Sequence, residues 1–325
     1  MIYKVKQLLS NLVLSKACKI SQNIIPLQVI TNKIDKIVTG RKLNILISND
    51  DGYTSRGIHT LANIMSAFGE ITVVAPKYHQ SAMSMAVSLG MKRIAYKELP
   101  GEGPGRWSYL DATPASCIKF GLEYKYPHRD PDVVVSGINH GSNAATAANY
   151  SATLGCADEG ALNGIKSIGV SLQDFDPEGD LSAVEKYFPA IFEFLMDNWP
   201  ENVYGLVYNV NFPKAPADKI KGVRIARQGR GHWEKEYQPW DEEKVKKYFV
   251  AAGCGFKDSP APLEDGETAF MMVGNFIDDE DSGHLNADHR LNNEGWITIT
   301  PNTIDRTDFA EVKRLSAIIE NNPIK

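Results

Sequence analysis

Two adjacent carboxylates, Asp50 and Asp51, follow the apolar run Leu43-Asn44-Ile45-Leu46-Ile47-Ser48 and Asn49. Neighbouring carboxylates at the end of a strand repel each other unless a cation lies between them, and hard divalent cations prefer such oxygens. Two blander readings compete. Asp51-Gly52 is a hairpin-turn dipeptide, and an aspartate before a helix is a good cap. A helix rather than a second strand is predicted after Gly52, which disfavours the hairpin, and capping accounts for one carboxylate only.

In open α/β sheets ligands bind beyond the carboxyl ends of the strands. That rule gathers three loops. Asn49, a candidate for binding the substrate phosphate, and Asp50 and Asp51 follow the first predicted strand. Tyr78 to Ser84, with Ser81 and Ser84, follow the second. Gly137 to Asn143, a loop of small and amide residues, follows the third. The Ser81 hydroxyl and the Asn139 amide oxygen would complete an all-oxygen shell with Asp50 and Asp51, which suits Mg²⁺, Mn²⁺ or Ca²⁺ better than zinc. Asn143 and its loop amides offer donors to an anion. Ser151 and Thr153 stand before a predicted helix, where phosphate binding and plain capping are equally good readings. His79 and His140 fall in the same loops, and His59 reads as a surface residue of the first helix. Asp288–His289 has the form of a proton-transfer pair, but no serine or cysteine elbow accompanies it.

The elements that must hold these loops are legible as periodic patterns. Residues 43–48 form a short apolar run, as expected of a strand buried on both faces. Ile58, Leu61, Ala62, Met65 and Phe68 recur at helical spacing, Gly69 is a plausible stop, and residues 70–75 are a second buried strand closed by Pro76. Strand, helix, strand at this spacing is a βαβ unit. The pattern continues with strands at 132–136, 168–172 and 206–211 and helices at about 154–163 and 181–199. The fold class predicted is therefore α/β, a doubly wound, mostly parallel Rossmann-type sheet. After about Pro213 the strand-like stretches 220–227, 268–277 and 295–300 look like hairpins, and a helix carrying Phe309, Val312, Leu315 and Ile319 closes the chain. The expected organisation is a basic, poorly ordered extension over residues 1–42, a catalytic core over 43–213, and a hairpin-rich region over 214–325 that belongs to the same domain.

Composition narrows the classes. The 325 residues suffice for a large core, and a formal charge of −5 argues against a nucleic-acid duplex as partner. Cys18, Cys117, Cys156 and Cys254 form no Cys-x-x-Cys pair, which fits a reducing compartment. No apolar run reaches the roughly 20 residues of a membrane span. The first 42 residues carry eight Lys or Arg against one acid, Asp35, yet lack the apolar core of a secretory signal. Nucleophile-elbow, P-loop and dinucleotide-binding fingerprints are missing from the sequence.

With these loops in view, the sequence resembles the SurE family of survival-protein nucleotidases. The matches include Ile47-Ser-Asn-Asp-Asp-Gly52, Val73-Val-Ala-Pro76, Ser81 and Ser84, Thr113-Pro114, Val135-Ser-Gly-Ile-Asn139 with Gly141, Tyr150-Ser151 with Thr153, Asn209-Val-Asn-Phe-Pro213, and Glu294-Gly295 leading to Ile299-Thr-Pro301. They run in the family's order over roughly residues 43–307. The resemblance implies a SurE-like fold and divalent-metal-dependent removal of phosphate from nucleoside monophosphates, with 5′- and 3′-positions both open. It implies Asp50, Asp51, Ser81 and Asn139 as ligands of one Mg²⁺ or Mn²⁺ per subunit. It also implies a cytoplasmic homodimer or homotetramer with exchanged C-terminal segments. Departures are Ala82 and Ala152 where glycine is usual, Asp111-Ala112 before Thr-Pro, and Ala287-Asp288-His289 in place of a Thr-Asp-aromatic run. Two rivals remain: a phosphatase that forms an aspartyl-phosphate, against which the adjacent spacing of the aspartates speaks, and a nucleotide-binding regulator without turnover.

Overall fold

The computed structural model describes residues 42–90, 93–245, 262–278 and 286–321. Nearly all of the basic extension lies outside them. The first unit is β1 (Leu43–Ser48), α1 (Arg56–Met65) and β2 (Gly69–Pro76), with β1 and β2 parallel. Helix α1 buries Gly57, Ile58, Leu61, Ala62 and Met65, the face its spacing predicted. Gly69 does not stop the helix. Ser66 ends it, and Gly69 opens β2.

Next come β3 (Tyr96–Glu98), β4 (Arg106–Leu110), α2 (Pro114–Phe120), β5 (Val133–His140), α3 (Ala152–Leu162), β6 (Lys166–Leu172), α4 (Ser182–Asp197) and β7 (Leu206–Phe212). The short strands β8 (Val223–Ile225), β9 (His232–Glu234) and β10 (Tyr237–Pro239) precede a small helix α5 (Glu242–Val245). Strands β11 (Phe270–Met272) and β12 (Asn275–Ile277), helix α6 (Asp288–Asn293), strand β13 (Ile297–Thr303) and helix α7 (Phe309–Asn321) complete the chain.

One nine-stranded sheet has the order β3-β4-β2-β1-β5-β6-β7-β13-β8. The six strands from β4 to β7 in that order are mutually parallel. At one edge β3 runs antiparallel to β4; at the other, β13 runs antiparallel to β7 and carries β8 parallel to itself. The stretches at 220–227 and 295–300, read as hairpin-like, thus join the main sheet as β8 and β13. The remaining C-terminal strands form two antiparallel pairs, β10 with β11 and β9 with β12.

Alternate residues of the strands feed two cores. Ile45, Ile47, Val73, Val133, Val135, Ile168 and Val170 pack with α1 and α4 on one face. Leu46, Val74 and Val134 pack with Cys117 and Ile118 of α2 and Cys156 of α3 on the other. Burial on both faces explains why these strands read as continuous apolar runs rather than alternating ones.

Candidate active site

The order of the sheet reverses between β1 and β5. From β1 the chain builds outward through β2 and β4, and from β5 it builds the other way through β6 and β7. Loops leaving neighbouring strands on opposite sides of such a point open a crevice, the usual ligand site of doubly wound sheets. Asp50 and Asp51 follow β1, and Asn139 and His140 end β5, so all four line this crevice.

Asn49 shapes the turn. Its Nδ2 donates to the Gly52 carbonyl at 2.9 Å and to Ser55 Oγ at 2.8 Å, lashing the Asp-Asp-Gly turn to the start of α1. The side chain is fully buried, and its Oδ1 has no hydrogen-bond partner among the described residues. Helix α1 is drawn tightly against β5: a Cβ on Gly57 would lie 2.1 Å from the Ile138 carbonyl oxygen.

The two aspartates occupy different environments. Asp50 is buried and accepts a 2.5 Å hydrogen bond from Thr153 Oγ1, on the second residue of α3. Burial, reinforced by the charge of Asp51, pushes the Asp50 carboxyl up to about 7, against the opposing pull of Thr153 and His79. Asp51 is more open. Its Oδ1 lies 3.3 Å from His79 Nδ1, and its Oδ2 accepts from the His140 backbone amide at 3.3 Å.

The loop after β2 is tied to the same point. The Gln80 amide donates to the Asp50 carbonyl at 2.7 Å, and Ser81, next in the chain, is exposed. Further on, Ser84 packs on α3, where a Cβ on Gly155 would approach the Ser84 carbonyl oxygen to 2.0 Å. Ala82 adopts φ 59, the left-handed region that glycine occupies without strain. Asn139 is buried and donates through Nδ2 to the Gly141 carbonyl at 2.8 Å, which turns its amide oxygen toward the other side.

Among the described residues neither Ser81 nor Asn139 hydrogen-bonds a carboxylate; their chain neighbours Gln80 and His140 hold Asp50 and Asp51. Ser151 caps α3, accepting from the Leu154 amide at 3.1 Å, and its own hydroxyl proton stays available as a donor. Asn143 turns inward. Its amide nitrogen donates to Asn211 Oδ1 at 2.9 Å, its Nδ2 to Ser171 Oγ at 2.8 Å, and its carbonyl accepts from Asn209 Nδ2 at 2.8 Å. This asparagine ladder across β6 and β7 stiffens the loop after β5.

The sequence places His79 in an active-edge loop, and the fold adds its pairing with Asp51. Asp288 serves other partners than the aspartate pair. Fully buried, its Oδ1 accepts from the backbone amides of Ala145, Gly229 and His289 at 3.0, 2.9 and 2.8 Å. His289 Nε2 lies 3.2 Å from Asp278 Oδ2. Burial pulls that imidazole down, but Asp288 and Asp278 outweigh it and hold its pKa above the ordinary value. The contacts make Asp288 a structural knot between the loop after Asn143 and the C-terminal region.

No three His, Cys, Asp or Glu side chains cluster closely enough to hold a metal among the described residues. A cation at the crevice would therefore rest on two carboxylates and neutral oxygens, the combination that hard ions accept.

Fold and site together define a doubly wound α/β protein with a carboxylate centre at its topological switch point. The family model described as "Survival protein SurE" matches residues 45–235. A 5′-nucleotidase SurE of Christiangramia forsetii is 32% identical over 278 residues, which cover 85% of this chain and 97% of the relative. A 5′-nucleotidase SurE of Cytophaga hutchinsonii is 38% identical over 227 residues, 69% of this chain and 85% of the relative. The crystal structure of the SurE protein from Aquifex aeolicus superposes with a TM-score of 0.65 at 23% identity, covering 84% of this chain and 98% of that one. The chain belongs to the SurE family.

Proposed function

We propose that this chain is a divalent-metal-dependent phosphomonoesterase that converts nucleoside 5′-monophosphates to nucleoside and phosphate, with 3′-monophosphates a second substrate class. The observation that carries the reading is the Asp50–Asp51 pair at the switch point, one carboxylate pushed up to about 7 by its burial and then by its neighbour. Relatives named 5′-nucleotidase over most of the chain support it.

The donor set fits a hard cation. Two carboxylates lie side by side without a cationic side chain strong enough to hold Asp50 in its ordinary range. Asp50, Asp51, Ser81 and the Asn139 amide oxygen would hold one Mg²⁺ or Mn²⁺ per subunit. When bound, such a cation offsets charge on the transferring phosphoryl group and lowers the pKa of a water. The chain's own residues supply the rest. Thr153 fixes the rotamer of Asp50, and His79 with the His140 amide fixes Asp51. One of the two carboxylates takes the proton of the attacking water. The Ser151 hydroxyl, amides at the start of α3 and the loop amides around Asn143 receive phosphate oxygens. Asn49 acts through the turn it braces.

The same reading makes the chain a cytoplasmic homo-oligomer whose C-terminal region forms the contact between subunits. Helix α7 has no buried residue and exposes Phe309, Val312, Leu315, Ile318 and Ile319, which supports that role. No helix among the described residues is long and apolar enough to cross a membrane.

A panel of nucleotides and other phosphomonoesters, assayed with Mg²⁺ or Mn²⁺ and with EDTA, tests the proposal. Phosphate release from nucleoside monophosphates that EDTA abolishes is expected. AMP binding without release from any substrate would instead indicate a nucleotide-binding regulator.

A further inference from the structure

The turn after β6 presents an exposed aromatic ring at the rim of the crevice. Phe175 is 58% exposed, yet one edge of its ring packs on Gly141, directly beyond β5. A Cβ on Gly141 would lie 2.9 Å from Phe175 Cε1 and 3.5 Å from Asn139 Nδ2, so the ring and the Asn139 amide flank one point. Gly141 adopts φ 129, which a side chain would rarely tolerate, and the space a side chain would fill is given to the ring.

Single exposed apolar side chains are ordinary on protein surfaces. What sets Phe175 apart is the rigidity of the turn that carries it. Lys214 Nζ pairs with Asp174 Oδ1 at 2.8 Å, and the same oxygen accepts from the Asp176 amide at 3.2 Å. The Asp174 amide donates to the Leu172 carbonyl at 2.7 Å, and Gly141 donates to that carbonyl at 2.8 Å. On the far side Arg56 of α1 donates to the carbonyls of Glu178 and Gly179, both at 2.9 Å. The turn is thus anchored to α1, to β6 and to the segment after β7, while the ring stays open to solvent.

We propose that Phe175 is the stacking platform for the base of the nucleotide, a specificity residue that distinguishes nucleoside monophosphates from sugar phosphates. The proposal rests on the nucleotidase reading above. A phosphate seated at the aspartate pair leaves the nucleoside projecting from the crevice, and the Phe175 ring stands on its rim beside Asn139. Every base has a π-face, so a phenylalanine platform favours nucleosides as a class without selecting one base.

The test compares kcat/KM for AMP with kcat/KM for ribose 5-phosphate in wild type, Phe175→Ala and Phe175→Trp. Loss of one base–aromatic stack is expected to lower the AMP to ribose 5-phosphate ratio in Phe175→Ala by roughly five- to a hundredfold, mainly through KM for AMP, and Phe175→Trp to restore it. A ratio that stays within about twofold of wild type overturns the proposal. So does an equal loss on both substrates, which would mean that the ring merely supports Gly141. Should wild type release phosphate from neither substrate, the phosphatase reading fails by itself; AMP binding by wild type and Phe175→Ala then reads the platform, equal affinities overturning it.

Discussion

Thr153 Oγ1 donates to Asp50 Oδ1 across 2.5 Å of buried space, joining the start of α3 to the end of β1 over 103 residues of chain. The bond fixes the less exposed carboxylate of the pair. It also explains why a residue that reads as a phosphate donor or a cap in the sequence serves a different atom in the fold. Hydrogen bonds to charged groups contribute about 1.5–3 kcal/mol. Thr153→Val should therefore lower kcat/KM for AMP by roughly ten- to a hundredfold, while Thr153→Ser keeps activity within a few-fold. Steady-state kinetics of the two variants checks this, and equal activity in Thr153→Val and wild type would deny Thr153 its role.

The raised carboxyl of Asp50 makes the metal-free protein sensitive to pH. Its pKa is about 7 when folded against the ordinary 3.8, so across that window the folded chain keeps a proton that the unfolded chain has lost. Stability must then fall as pH rises through the window and level off above it. A cation between the carboxylates removes the cause. In EDTA the Tm should be lower at about pH 8 than at about pH 5.5, and added Mn²⁺ should raise it more at the higher pH. Differential scanning calorimetry at both pH values decides it, and a Tm increment independent of pH would contradict the assignment.

Much of this organisation is legible in the residues themselves. Strands buried on both faces write themselves as apolar runs, so β1, β2, β5, β6 and β7 stand out, and the switch-point rule then selects the loops at Asp50, Ser81 and Asn139. Strands β3 and β4 escape such a reading because they lie at a sheet edge among Lys, Glu, Gly and Pro residues, without a long apolar run. Strand β13 reads as a hairpin arm because nothing local says that its partner is β7. The pairing of His79 with Asp51 and the burial of Asn49 and Asn143 have the same origin: each depends on which loops meet, not on spacing within one segment. Asp288 is the clearest case, since its partners Ala145 and Gly229 lie far away in the chain.

That knot carries a stability prediction. Removing the Asp288 carboxylate strands three buried backbone donors, each costing about 1–3 kcal/mol. Asp288→Ala should lose at least about 3 kcal/mol in urea unfolding, and Asp288→Asn clearly less, since an acceptor oxygen survives. Equal losses in the two variants would show that charge rather than hydrogen bonding holds the three segments together.

Metal-dependent phosphate release, as proposed above, depends on both adjacent carboxylates. The most direct measurement is turnover of AMP with Mg²⁺ or Mn²⁺ by wild type, Asp50→Asn and Asp51→Asn, each verified as folded by its far- and near-UV circular dichroism. Wild type should release phosphate, EDTA should abolish the release, and either substitution should lower kcat by at least about a hundredfold. A folded Asp51→Asn protein with wild-type turnover would contradict that dependence.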